Sequence, residues 1–257
     1  MSRRTGLLPL LILLLCLIPC NTQAEDYTAD ANCEGAWLFT EGSGTTVADS
    51  SANTNTGTFK DVNEPAWSST VPAAYADYSV NFAGESEYSD YIDCNNVAIT
   101  GDFTIVAWVY EDNTDRRAVI GNAGPGSGYM NYLLRVGGPS GFANTSDVAQ
   151  EITVPALSAT TWTHVCLWWD GTNLKYWKNG TDTVSAAKTG PPKNYGYDTR
   201  IGQLGEYTDG QFWDGLITEV AIFSRDLDST EINDIMDNGL VGSAATAYQG
   251  WYTVITQ

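Results

Sequence analysis

Two carboxylates at alternate positions of a strand lie on one face, and retaining glycoside hydrolysis needs such a pair roughly 5–5.5 Å apart. The nearest string here is Glu85-Ser86-Glu87, in a loop led by Gly84. A solvated turn accounts for it better than a catalytic pair does. Asp90 and Asp93 have odd spacing, so they face opposite sides of their strand. His164 is the one histidine in the chain and stands two residues from Cys166 in Trp162-Thr163-His164-Val165-Cys166-Leu167. The two share a strand face, but their neighbours are bulky and apolar, which favours packing over nucleophilic chemistry. No catalytic residue is assigned, and the chain is expected not to be an enzyme. One histidine also excludes the common two-histidine zinc sites.

Oxygen-rich loops offer a different chemistry, because hard cations take carboxylates, amides and main-chain carbonyls gathered in a turn. Asp49-Ser50-Ser51-Ala52-Asn53-Thr54-Asn55 has that character, with Asp49 and Asn53 as candidate calcium ligands. The competing role is to cap turns by accepting from their own backbone. Asp112-Asn113-Thr114-Asp115 reads as a plain hairpin tip.

Aromatic rings supply the platforms on which the C–H face of a sugar packs. Trp37, Trp108, Trp162, Trp169 and Trp177 sit inside strand-like runs and read as core. Trp67, Tyr129, Tyr195, Tyr197, Tyr207 and Trp213 are flanked by Gly, Pro or Asp instead, and these loop-borne rings are the candidate ligand-binding set. Asn144-Thr145-Ser146 and Asn179-Gly180-Thr181 are glycosylation sequons, meaningful in a eukaryotic source.

Charge narrows the partners. Thirty-one Asp and Glu against 12 Lys and Arg give a formal charge of −19, which argues against nucleic-acid binding. Hydrophobic residues at 43% and charged residues at 17% exclude a disordered chain. Residues 1–24 read as a signal peptide: Arg3 and Arg4, an apolar run from Gly6 to Ile18, then Thr22-Gln23-Ala24 before cleavage at Ala24-Glu25. A lipid anchor on Cys20 is the rival, disfavoured by Pro19 ahead of it. Cleavage removes two arginines and no acid, taking the charge from −19 to −21. The expectation is a secreted or cell-surface protein, periplasmic in a Gram-negative source, with no transmembrane segment in the mature chain. Export permits disulfides, and of the remaining Cys33, Cys94 and Cys166 the first two each stand where a strand meets a polar segment. A Cys33–Cys94 bridge is expected, with Cys166 as a small buried hydrophobe.

Positioning these residues falls to short strands. β-branched and aromatic runs recur between Gly, Pro, Asn or Asp clusters, among them Phe103–Tyr110, Tyr129–Val136, Trp162–Trp169, Leu174–Lys178, Phe212–Phe223 and Tyr248–Ile255. Several are apolar on both faces, as strands inside a two-layer sandwich are. Asn179-Gly180 between two runs is the pair that a two-residue type I′ hairpin requires. One helix is expected over about Ser229 to Asn238, capped by Asp228 with Glu231 three residues on and ended by Gly239. Residues 25–257 read as a single domain.

In order along the chain, these residues resemble the laminin-G-like domains of the concanavalin A-like lectin/glucanase superfamily. The resemblance begins with Gly35-Ala36-Trp37-Leu38-Phe39 and Val47-Ala48-Asp49-Ser50-Ser51. It continues through Val80-Asn81-Phe82-Ala83-Gly84, Phe103-Thr104-Ile105-Val106-Ala107-Trp108-Val109 and Trp162-Thr163-His164-Val165. It ends with Trp213-Asp214-Gly215-Leu216-Ile217-Thr218-Glu219-Val220 and Phe223-Ser224-Arg225-Asp226-Leu227. It covers about residues 33–240. It implies an all-β, two-sheet antiparallel jelly-roll sandwich with one short helix, often with calcium. It also brings Glu219 near the first strand as a third candidate cation ligand, although Thr218-Glu219 departs from the Asp the family often shows. The function so implied is a secreted, non-catalytic recognition module for glycan or an extracellular protein surface. A polysaccharide hydrolase or lyase on the same scaffold is the alternative, and a structural assembly protein a second.

Overall fold

The computed structural model describes residues 25–60, 65–84, 90–112, 117–125, 129–136, 138–145, 148–205 and 212–242, without the side chains of 138–145, 148–150 and 182–183. Strands follow one another as β1 (Cys33–Trp37), β2 (Thr46–Val47), β3 (Gly57–Lys60), β4 (Ala66–Ser68), β5 (Ser79–Ala83) and β6 (Tyr91–Asp93). Next come β7 (Phe103–Glu111), β8 (Arg117–Ala123), β9 (Met130–Val136), β10 (Gly138–Thr145) and β11 (Val148–Val154). The chain continues through β12 (Trp162–Trp169), β13 (Asn173–Lys178), β14 (Thr181–Ala187), β15 (Thr199–Ile201), β16 (Asp214–Phe223) and the helix α1 (Ser229–Asn238). The expected strand over Tyr248–Ile255 and the expected leader over 1–24 lie outside the described residues.

The strands form two eight-stranded sheets, antiparallel at every pairing. The first runs β14-β13-β12-β7-β16-β5-β4 with β1 also on β16, and the second runs β11-β10-β9-β8-β15-β6-β3-β2. The main core lies between them: Ile105, Ala107, Val109, Val165, Leu167 and Ile217 from the first sheet meet Ile92, Ile120, Tyr132, Leu134 and Ile201 from the second. Chain neighbours in different sheets and long connections between them are what an antiparallel jelly roll requires.

The two-sided apolar strands have a specific cause. Cys166, Trp168, Val106, Ala221 and Phe223 face away from the sandwich core, where Ile232 and Ile235 of α1, with Tyr27 and Leu240, cover them. The helix is fixed as its sequence dictates: Asp228 accepts from the Thr230 and Glu231 amides while Glu231 accepts from the Asp228 amide. Arg225 then ties Glu231 to Asp30, locking the helix to the N-terminal segment. The β13–β14 hairpin turns on Asn179 and Gly180 with φ of 50° and 72°, the paired positive values a type I′ turn demands.

Candidate functional site

Three loops meet at one end of the second sheet: the segment after β6, the β8–β9 hairpin and the segment leading into β15. Strand pairing brings them together, since Thr199 opposes Asn122 and Arg200 opposes Asp93. Asn122, fully buried, is the joint. Its Nδ2 donates to Asn96 Oδ1 at 3.2 Å, to the Tyr197 carbonyl at 2.7 Å and to Thr199 Oγ1 at 3.3 Å. Its Oδ1 is buried with no donor, so the joint retains acceptor capacity. Below it, the Tyr132 hydroxyl bonds the Val97 carbonyl and Thr199 Oγ1, and burial raises its pKa so that it stays a phenol.

On this support stand aromatic rings and amides. Tyr129 is 50% exposed and meets Tyr195 edge to face, with ring centroids 5.5 Å apart. The Lys193 ammonium lies 4.8 Å from the centre of the Tyr195 ring. Asn194 Oδ1 accepts from the Gly196 amide at 2.7 Å, fixing the turn that presents Tyr195. Tyr197 packs its ring directly onto Gly124, where a side chain would occupy the same space. An exposed ring flanked by carboxamides and an ammonium suits stacking and hydroxyl hydrogen bonding.

Three of the six sequence-predicted rings, Tyr129, Tyr195 and Tyr197, are therefore together. Trp213 is not with them: its indole is 0% exposed and belongs to the inter-sheet core, so neither of its faces is open to a sugar. Trp67 packs among Phe39, Phe59 and Tyr78 and donates its indole N–H to the Gly44 carbonyl, a structural position. Tyr207 lies outside the described residues, as do Glu85 and Glu87. Asn96, Asn122, Asn194 and Lys193 were missed, because single polar residues beside a turn carry no periodicity. The Asn95-Asn96 and Lys193-Asn194 pairs next to Tyr195 were the available signal.

The candidate calcium residues do not converge. Asp49 accepts from the amides of Ala36, Ser51 and Asn55, so N–H groups occupy both of its carboxylate oxygens. Asn53 points its Nδ2 at the carbonyls of Cys33 and Glu34, a donor where a cation needs an oxygen. Glu219 accepts instead from the Leu240 amide at 3.0 Å, beside the helix. It sits at a bulge of β16 with φ of 50°, and burial pushes its carboxyl up to about 7. Among the described residues no three His, Cys, Asp or Glu side chains come together as a metal site. These residues do not fit the ion that the resemblance implies.

Cys33 and Cys94 correct the expected bridge. Both are free thiols, as is Cys166. Cys33 faces the layer under α1 and Cys94 lies in the inter-sheet core, so the two belong to separate packing clusters. Burial pushes the Cys33 thiol up to about 12, and the Cys94 and Cys166 thiols well up too. His164 is buried against Trp108, with ring centroids 5.3 Å apart, and desolvation holds its pKa down at about 3. His164 and Cys166 are both buried side chains of β12, the imidazole lying against the Trp108 ring.

The order of strands, the buried faces and the single helix define a laminin-G-type sandwich. The chain belongs to the concanavalin A-like lectin/glucanase superfamily: residues 84–233 match its family Laminin_G_3. No curated protein matches the sequence. Among solved structures it is similar to domain 4 of AbnA, a GH43 extracellular arabinanase from Geobacillus stearothermophilus, in complex with arabinotriose. The TM-score is 0.57 at 14% identity, covering 79% of this chain and 98% of that one. It is similar too to the botulinum neurotoxin serotype G binding domain, with TM-score 0.59, 13% identity and coverage of 79% and 50%. Trypanosoma rangeli sialidase in complex with sialic acid gives a TM-score of 0.55 at 14% identity, with coverage of 84% and 34%. The chain thus spans nearly all of the arabinanase domain, half of the toxin domain and a third of the sialidase. At these identities the likeness establishes the fold. No helix among the described residues is long and apolar enough to cross a membrane.

Proposed function

We propose that this chain is an exported, non-catalytic recognition module that binds a glycan at the Tyr129–Tyr195–Tyr197 cluster. One observation carries the reading. A buried asparagine joins the two loops that carry these rings, and the outermost ring, Tyr129, is half exposed where the other described aromatics are buried or partly buried. Tyr129 offers a stacking face, Asn96 and Asn194 offer amides, and Lys193 offers an ammonium beside it. Binding then needs only ring stacking and hydrogen bonds, with no bond broken. The arabinotriose complex of the similar arabinanase domain supports a saccharide for this fold. The leader-like residues 1–24 support export.

A glycan array with the purified protein, read with and without chelator, tests it. Retention of at least one oligosaccharide in both conditions, lost on Tyr129→Ala, is the expected result. Absence of all retention, or retention unaffected by Tyr129→Ala and Tyr195→Ala together, overturns it.

A further inference from the structure

We propose that Arg200 forms an anion subsite bordering this cluster, so that the glycan bound there is an acidic one bearing a carboxylate or sulfate. The inference rests on the glycan reading above and adds the charge of the sugar to it. Thr199 and Ile201 point into the core, so Arg200 between them projects from the outer side of the second sheet. Its guanidinium lies 4.4 Å from the centre of the Tyr91 ring. Nη1 donates to Gln203 Oε1 at 2.9 Å and to the Gly205 carbonyl at 3.0 Å. All three partners are uncharged, and Nε is buried without an acceptor.

The contrast with the other described arginines is what points to a ligand. Arg117 reaches Asp214, Arg135 reaches Glu151, and Arg225 reaches Asp30 and Glu231. In a chain with 31 acids to 12 bases, an arginine with no carboxylate at salt-bridge distance among the described residues stands against the composition; Asp93 opposes it across the strands but accepts from the Asn95 amide. Stacking and two hydrogen bonds hold its planar head in place, so little side-chain freedom is lost when an anion arrives. Nη2 takes part in neither bond and keeps its hydrogens for a carboxylate or sulfate oxygen, a charge-assisted contact.

Its position joins it to the aromatic cluster. Gly205, which accepts from Arg200, lies against the backbone of Ala123, where an added Cβ would stand 2.5 Å from the Ala123 oxygen. Tyr197 lies against Gly124, the next residue. The support of the guanidinium and the ring of Tyr197 therefore rest on adjacent residues at the end of β8. A saccharide stacked on the tyrosines extends toward Arg200 along that edge.

The test compares three galactose-based oligosaccharides of equal length by calorimetry on the purified protein: neutral galactan, galacturonan with carboxylates and carrageenan with sulfates. At low salt one charged oligosaccharide is expected to bind about tenfold or more tightly than the neutral one, the scale of one charge-assisted pair. Its identity separates a carboxylate from a sulfate site. Arg200→Gln should bring the charged ligand down to the neutral affinity, and Arg200→Lys should restore part of the difference. Gln203→Ala, which loosens the guanidinium, should lower the charged-to-neutral ratio in a protein whose melting temperature confirms its fold. Equal affinity for neutral and charged sugars, or a preference that survives Arg200→Gln, overturns the subsite while leaving the glycan reading in place. Failure of all three sugars to bind while the array retains another glycan overturns the subsite, and failure on the array as well overturns both.

Discussion

Tyr129 and Tyr195 meet edge to face, their ring centroids 5.5 Å apart, and so clamp the β8–β9 hairpin to the segment ahead of β15. The contact is worth on the order of 1 kcal/mol, since edge-to-face pairs add about 0.5–1.5 kcal/mol beyond area burial. Tyr129 is half exposed, so its removal leaves the core untouched.

Tyr129→Ala should therefore lower the melting temperature by only a few degrees, about what 1 kcal/mol produces in a domain of this size. It should weaken oligosaccharide binding by about tenfold, the loss of one stacking face. Trp213→Ala is the contrasting control: a buried indole lost from the core costs about 3–5 kcal/mol. Thermal melts beside calorimetric titrations of both variants separate the two roles. Equal destabilisation by the two substitutions would refute this assignment.

Gly124 gives a gentler way to disturb the site. Its Cβ position is taken by the Tyr197 ring, so Gly124→Ala must push that ring outward. The expected outcome is a folded protein with altered saccharide affinity, read by near-ultraviolet dichroism for the tyrosine environment and by titration for binding. Unchanged spectra and unchanged affinity would show that the ring does not rest there.

Glu219 makes stability depend on pH in a definite direction. Burial, with the nearby charge of Asp77, pushes its carboxyl up to about 7 against the ordinary 4.5, so the folded protein holds a proton that the unfolded chain releases. Its contribution is full below about pH 4.5 and is lost as pH rises toward 7, by at most ~3 kcal/mol. His164 acts oppositely: held neutral down to about 3 by burial, it contributes stability above pH 6.5 that is lost as pH falls. Because His164 opposes it in this window, Glu219→Gln should make the change in stability from pH 4.5 to 7 more positive than in the parent, as measured by urea midpoints at both. A slope identical to that of the parent would be the refuting result.

The cysteines give the last test. With Cys33, Cys94 and Cys166 free and buried, reductant should not shift the melting temperature. Ellman's reagent should react with them only on unfolding, because burial keeps each thiol protonated. A melting temperature lowered by reductant would restore the disulfide.

Periodicity and turn chemistry carried most of the fold. The long strands β7, β12, β13 and β16, the Asn179-Gly180 hairpin and the capped helix were legible because local residues alone specify them. The short strands β2, β3 and β4 were not: two to four residues contain too little pattern, and their pairing partners fix them. Flanking Gly, Pro and Asp marked Tyr129, Tyr195 and Tyr197 as loop rings, and the same rule failed for Trp213. That residue hydrogen-bonds to Gly202 through its amide, and its side chain turns into the core just before β16 begins. Asp49 shows why oxygen-rich loops mislead. A carboxylate that could bind a cation is equally able to bind three amides, and which of these occurs depends on the backbone around it.

The amide of Tyr27 donates to the carbonyl of Leu240 at 2.8 Å, under the helix on the outer side of the first sheet. The chain thus enters and leaves the sandwich through one doorway, while the tyrosines stand on the other sheet. A segment joined at Tyr27 and one joined at Leu240 would both start from the helix-covered face, on the opposite sheet from the loops that carry the tyrosines.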